Sequence, residues 1–323
     1  MRDSQAEPRG RHAVDTALVP VAERHPVAPE TVGEPGRAAT TVVPLPDERL
    51  LSRHDVVLDG VRIAGRSGGL ELRAASARGL SHQYYGKVRQ DEFAYLVTRD
   101  GRWLVAAVAD GLSSGPDSHR AAEIVCRSGC VLVERQLGEH DAAVLDWPTL
   151  FGHLANAVIA DACREFGLVD PTVAEVAERM AATALFAVVA IEPAPTGERA
   201  VHLMSLGDTS AWLLCPDRLA PWEALQDVKN AGSTVASSAT AAVPAVPYQL
   251  APAVATSLSP DQVLVLMSDG VGDPLGGGTG EVGAFLAEAW RTPPDPLTFA
   301  AQVGFRRRSY DDDRTVIAVW PLP

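Results

Sequence analysis

The chain has 323 residues, 46% of them hydrophobic, enough to bury one large core or two small ones. A formal net charge of −13 excludes phosphate-backbone binding, which needs a concentrated Lys/Arg surface, so nucleic acid is not an expected partner. Charges at Arg2, Asp3, Glu7 and Arg9 interrupt any signal-peptide core, and the longest apolar stretch, Met180 to Ile191, is too short to span a bilayer, so a soluble cytoplasmic protein without membrane contact is expected.

Prolines crowd residues 1–50, and no Phe, Trp or Tyr precedes Tyr84. Residues 1–69 are therefore expected to be a disordered or linker tail, and 70–323 a single folded domain. Leu70–Ser76 alternates weakly as a first strand. Phe93–Thr98 and Trp103–Ala109 form a predicted hairpin that turns at Arg99-Asp100-Gly101, because Asp-Gly between apolar runs favours a tight turn. Long amphipathic helices follow, from about Asp117 to Leu137 and from Trp147 to Phe166, then a helical or loop stretch at Thr172–Arg179. Strands return at Thr183–Ile191, Ala200–Leu206, Ala211–Cys215, Val263–Met267 and Thr315–Trp320. Val228 to Pro260 reads as an irregular insertion or flap, and helices are expected at Glu281–Trp290 and Pro296–Arg307. Hairpins outnumber β-α-β units, which predicts antiparallel sheets covered by helices, an α+β arrangement. Cys126, Cys130, Cys163 and Cys215 include no Cys-x-x-Cys pair and read as buried reduced thiols.

The chemistry-bearing residues are carboxylates at the ends of apolar runs: Gln90-Asp91, Ala109-Asp110-Gly111, Ser268-Asp269-Gly270-Val271-Gly272-Asp273 and Asp311-Asp312-Asp313-Arg314-Thr315. Carboxylates gathered at strand ends make a hard-metal site. Any one Asp-Gly pair is by itself an ordinary β-turn, and the triple Asp an ordinary solvated loop. Asp208, in Ser205-Leu206-Gly207-Asp208-Thr209, is expected to order the turn between two strands rather than to bind metal.

Taken in order, these five motifs resemble those of the protein phosphatase 2C family of metal-dependent Ser/Thr phosphatases, over roughly residues 70–320. The resemblance implies a four-layer α/β/β/α sandwich with two antiparallel sheets and two Mn²⁺ or Mg²⁺ ions at one end of the cleft between them. It implies that Asp110 bridges both ions, that the Gly111 carbonyl binds one, that Asp269 and Asp312 are terminal ligands, and that Asp91 binds metal or metal-held water. A third ion position is suggested by Asp273, four residues after Asp269, with Glu178 facing it. The residue chemistry agrees, since hard cations prefer carboxylate, carbonyl and water oxygens and no His/Cys ligand set is present. Two ions about 3.5–4 Å apart lower the pKa of a shared water and place it in line with a phosphoester, so direct attack by a bridging hydroxide on phosphoserine or phosphothreonine is expected. The implied partners are phosphoprotein substrates and a cognate Ser/Thr kinase pathway.

The chain departs from the family where substrate is held. Asp110-Gly111-Leu112-Ser113-Ser114-Gly115 lacks the His that follows in many members, leaving leaving-group protonation to metal-bound water or His119. Gly86 stands where many members carry a phosphate-gripping Arg; His82, Lys87, Arg89 and Arg78 are candidate replacements, and His82 is preferred because Ser81-His82 ahead of Gln90-Asp91 resembles a bacterial branch of the family. The competing reading is an inactive pseudophosphatase that serves as a binding or regulatory module. A haloacid-dehalogenase-type phosphatase is set aside because Ala109-Asp110-Gly111 does not supply its Asp-x-Asp nucleophile.

Overall fold

The computed structural model describes residues 28–36, 53–226 and 241–323. In chain order the first half contains β1 (Val56–Ala64), β2 (Gly69–Ala77), α1 (Leu80–Tyr85), β3 (Glu92–Val97), β4 (Trp103–Ala109), α2 (Ser118–Leu137), α3 (Trp147–Phe166) and α4 (Val173–Ala177). The second half contains β5 (Ala184–Ala190), β6 (Arg199–Leu206), β7 (Ser210–Leu214), β8 (Trp222–Ala224), β9 (Val254–Leu258), β10 (Val263–Met267), α5 (Asp269–Leu275), α6 (Glu281–Ala289), α7 (Pro296–Val303) and β11 (Arg314–Leu322). Two antiparallel sheets result, ordered β1-β2-β11-β10-β7-β8 and β3-β4-β5-β6-β9.

Three apolar layers make this a four-layer sandwich, as the resemblance implies. On β4, Trp103, Val105, Ala107 and Ala109 meet Val125, Phe151 and Leu154 of α2 and α3. The alternate residues Leu104, Ala106 and Val108 meet Leu72, Leu264 and Ile317 of the opposing sheet. On the far side Val265, Met267, Val316 and Ala318 pack on Leu286, Phe299 and Val303 of α6 and α7. A strand buried on both faces has no polar side to show, which is why β4 and β10 are continuous apolar runs despite their antiparallel pairing.

The folded domain begins before the expected Leu70. β1 pairs with β2 along its whole length, from Val56 opposite Ala77 to Ala64 opposite Gly69. Still earlier, Thr31 bridges Arg306 in parallel and Val32 is buried among the α6–α7 core residues. The remainder of the expected tail, 1–27 and 37–52, lies outside the described residues. The expected insertion also needs correction, because Val254–Leu258 is a regular strand on β6, while 227–240 lie outside the described residues. The last helix stops at Val303 rather than Arg307, with Gly304 as its cap. All four cysteines are free, with Cys163 partly exposed and the others buried. Among the described residues no helix is long and apolar enough to cross a membrane.

Candidate metal centre

Antiparallel register gathers the acidic motifs at one edge of the sandwich. Glu92 lies opposite Ala109 in the β3–β4 pair, so Asp91, just before β3, and Asp110, just after β4, share an end. In the other sheet Met267 lies opposite Val316 on β11 and Ser210 on β7. That register places Asp269, the pair Asp312-Asp313 and Asp208 at the matching end.

The carboxylate oxygens of Asp110, Asp208 and Asp269 come within 4.8 Å of one another. The link between β6 and β7 passes from one sheet to the other, so the turn that Asp208 was expected to order also delivers its carboxylate to the cluster. The signal was present in Gly207-Asp208-Thr209, but an Asp that only orders a turn and one that also joins a carboxylate cluster look alike in sequence.

Local hydrogen bonds hold these groups from behind. The Asp110 amide donates to Thr183 Oγ1 (2.9 Å), and the Thr183 amide donates back to the Asp110 carbonyl (2.8 Å). Ser268 Oγ donates to Asp91 Oδ2 (2.7 Å) and accepts from the Thr315 amide (3.0 Å), tying one sheet's carboxylate to the other sheet's strand. A Cβ on Gly111 would sit 2.8 Å from the Gln90 carbonyl oxygen, and one on Gly270 only 1.9 Å from that of Asp313. The two Asp-Gly pairs are therefore sites of close backbone approach as well as chain turns.

Burial and mutual repulsion push the acids up. Burial and then Asp313 raise Asp91 to about 7, and burial followed by Asp208 and Asp312 raises Asp269 to about 8. Asp110 is raised well above the carboxylate range by burial and by Asp91 and Asp269, and Asp312 is raised by burial and Asp313. Carboxylates that resist ionising together are stabilised as anions by a cation among them. The donor set is oxygen throughout, which fits Mn²⁺ or Mg²⁺.

His82, the expected phosphate contact, faces Asp313. Its side chain is buried, 4% exposed, and its Nδ1 lies 3.0 Å from Asp313 Oδ1. That contact is an ion pair without hydrogen-bond alignment, since Nδ1 has no aligned partner. Burial opposes both charges, yet the pairing raises the His82 pKa and lowers that of Asp313. Asp313 also accepts from the Gly79 and Gln90 amides. His82, Asp312 and Asp313 form a second close group, in which the His82 and Asp313 atoms are committed to each other and to the backbone.

The other candidate cations sort by burial. Arg78 pairs with Asp55 and donates to the His82 carbonyl, and Arg89 donates to Ser76 Oγ and to the Asp91 carbonyl; both are buried. Lys87 is exposed, with Nζ 3.3 Å from the Ser113 carbonyl in the loop after Gly111. Gly86, where many family members carry Arg, caps α1 in the left-handed region (φ 66°), a conformation that favours glycine. His119 lines a separate cavity and joins neither carboxylate group. Glu178 is the exposed C-cap of α4 and joins neither group. Asp273 is exposed on α5, one turn beyond Asp269, whose pKa it helps to raise.

No curated protein sequence matches the chain. Solved structures that resemble it include the PP2C phosphatase domain, with a fragment of the regulatory domain, of the cell fate determinant SpoIIE from Bacillus subtilis, at 13% identity, 82% coverage of this chain and 70% of that one, and a TM-score of 0.46. Another is the Mycobacterium tuberculosis serine/threonine phosphatase PstP/Ppp, at 17% identity, 78% and 98% coverage, and a TM-score of 0.44. The catalytic domain of PstP in complex with two manganese ions gives 16% identity, 79% and 99% coverage, and a TM-score of 0.44. The family model for protein phosphatase 2C matches residues 78–296, more than half of the chain and the stretch that carries every motif of the site except Asp312-Asp313. The chain belongs to the protein phosphatase 2C family.

Proposed function

We propose that this protein is a Mn²⁺- or Mg²⁺-dependent phosphatase that hydrolyses phosphoserine and phosphothreonine in phosphoproteins, opposing a Ser/Thr kinase. The observation that carries the reading is the convergence of the Asp110, Asp208 and Asp269 carboxylates within 4.8 Å, with Asp91 and Asp312 close enough to raise the pKa values of Asp110 and Asp269. Asp91, Asp110, the Gly111 carbonyl, Asp269 and Asp312 would hold two ions, and Asp208 joins that set. When bound, the ions supply Lewis acidity and a water acidic enough to attack at neutral pH.

The chain's own residues position and neutralise. Thr183 and Ser268 fix Asp110 and Asp91, so no reorganisation is needed as charge develops. Lys87, exposed beside the loop that follows Gly111, would meet the substrate phosphoryl group as a point charge. Protonation of the leaving alkoxide falls to solvent, since His82 is paired with Asp313 and His119 lies outside the cluster. The ledge for a third ion is weaker, with Asp273 near Asp269 and Glu178 apart from both groups.

The test is hydrolysis of a phosphothreonine peptide and of p-nitrophenyl phosphate with Mn²⁺, comparing the wild type with Asp110→Ala and Asp269→Ala. Metal-dependent turnover that falls by at least about 100-fold in both variants is expected. A wild type without metal-dependent turnover would overturn the enzyme reading in favour of a binding module.

A further inference from the structure

A cavity of about 710 Å³, lined by none of the clustered carboxylates, has Arg53, Arg89, Arg120, Arg127 and His119 in its walls. Four guanidiniums face three lining carboxylates there, Glu92, Glu123 and Glu165, in a chain whose net charge is −13. Acids hold the arginines in place. Arg53 pairs with Glu92 at 2.8 Å, Arg120 with Asp161 at 2.9 Å and Glu165 at 3.0 Å, and Arg127 with Glu123 at 3.3 Å. Glu92 also serves Arg89, at 3.6 Å. A guanidinium has five N–H donors in a planar fork, and these pairs use one or two of them on Arg120 and on Arg127.

His119 reports the field inside. Burial and then Arg53, Arg120 and Arg89 hold its imidazole down at about 4, so at this point the cations outweigh Glu92, Glu123 and Glu165. Its Nδ1 is buried without a hydrogen-bond partner. An anion in the cavity would satisfy spare donors and relieve the repulsion among the arginines, and planar forks suit tetrahedral oxyanions. The cavity also abuts the metal cluster. Arg89 Nη1 donates to the Asp91 carbonyl, and Arg53 Nε donates to the Arg89 carbonyl (2.7 Å), so two guanidiniums form the wall behind Asp91.

We propose that this cavity is a second binding site, for a small phosphate-type oxyanion held by Arg53, Arg120 and Arg127. The site stands whether or not the acidic cluster hydrolyses phosphoesters. Titration calorimetry of the full chain at pH 7 with inorganic phosphate, in EDTA so that no cation adds a site, measures it directly. One saturable site is expected, weakened about tenfold or more by Arg127→Glu, whose side chain is 70% exposed and safe for the fold, and unaffected by Asp110→Asn. Absence of saturable binding, or binding lost in Asp110→Asn and kept in Arg127→Glu, would overturn the proposal. A second readout is the His119 imidazole by NMR, assigned with His119→Gln. Sulfate is expected to raise its titration midpoint by about one pH unit over chloride at equal ionic strength, an opposite charge nearby favouring the protonated form. Equal midpoints in the two salts count against the site.

Discussion

Asp208 follows Gly207, whose φ of 100° lies in the region that favours glycine, and its carboxylate stands with those of Asp110 and Asp269. The turn and the ligand roles separate in Asp208→Asn, because Asn suits the same turn but carries no charge. Mn²⁺ affinity is expected to fall at least about tenfold with little change in Tm, measured by calorimetry and thermal unfolding; unchanged affinity would return Asp208 to a turn role. Lys87 is tested the same way on substrate. Lys87→Ala is expected to raise KM for p-nitrophenyl phosphate about tenfold while kcat changes less, with Lys87→Arg close to wild type. An unmoved KM would place the phosphate contact elsewhere. The pairing of His82 with Asp313 is what favours Lys87 over His82, the residue preferred from sequence, as the phosphate contact. Sequence shows that a residue carries charge near a motif, but not that Asp313, 231 positions later, consumes it.

At the scale of elements, the strands buried on both faces were legible as strands, since β4 and β10 are unbroken apolar runs of strand length. β1 was not, because Asp59-Gly60 at its middle reads as a turn, whereas here Asp59 pairs with Ala74 and Gly60 with Arg73. An edge strand with a largely exposed face offers little periodicity, and β2 supplies the pairing that overrides local preference. α5 was missed as well. It is short, contains Pro274, and begins at Asp269 directly after β10. Its second residue is the sharpest packing constraint of the site, because a Cβ at Gly270 would overlap the Asp313 carbonyl. Gly270→Ala is therefore expected to cost more than about 2 kcal/mol in urea unfolding and to abolish Mn²⁺ binding, since backbone cannot move aside as a flexible side chain does. Wild-type stability with metal binding intact would show that the β11 entry loop is free to shift.

For the molecule as a whole, the acidic edge sets how stability depends on pH and metal. Asp91 near 7 and Asp269 near 8 lie above the values of an unfolded chain. Between about pH 4 and pH 8 the folded protein thus binds more protons than the unfolded one, so metal-free stability falls as pH rises. Dications held as proposed would replace those protons. Saturating Mn²⁺ is expected to raise Tm by about 5 °C or more at pH 8, and by less at pH 5, where protons compete. A metal-free Tm that is flat or rises across this window would contradict the burial of these carboxylates together. The sequence by itself determined the acidic motifs, their order, the antiparallel class and the oxygen character of the donor set, because these follow from residue type and short-range period. Only the tertiary structure decided which carboxylates meet and which cations stay exposed. Asp110 and Asp208 approach through the register of two different sheets, and His82 is withdrawn by a partner distant in sequence, so no local pattern encodes either outcome.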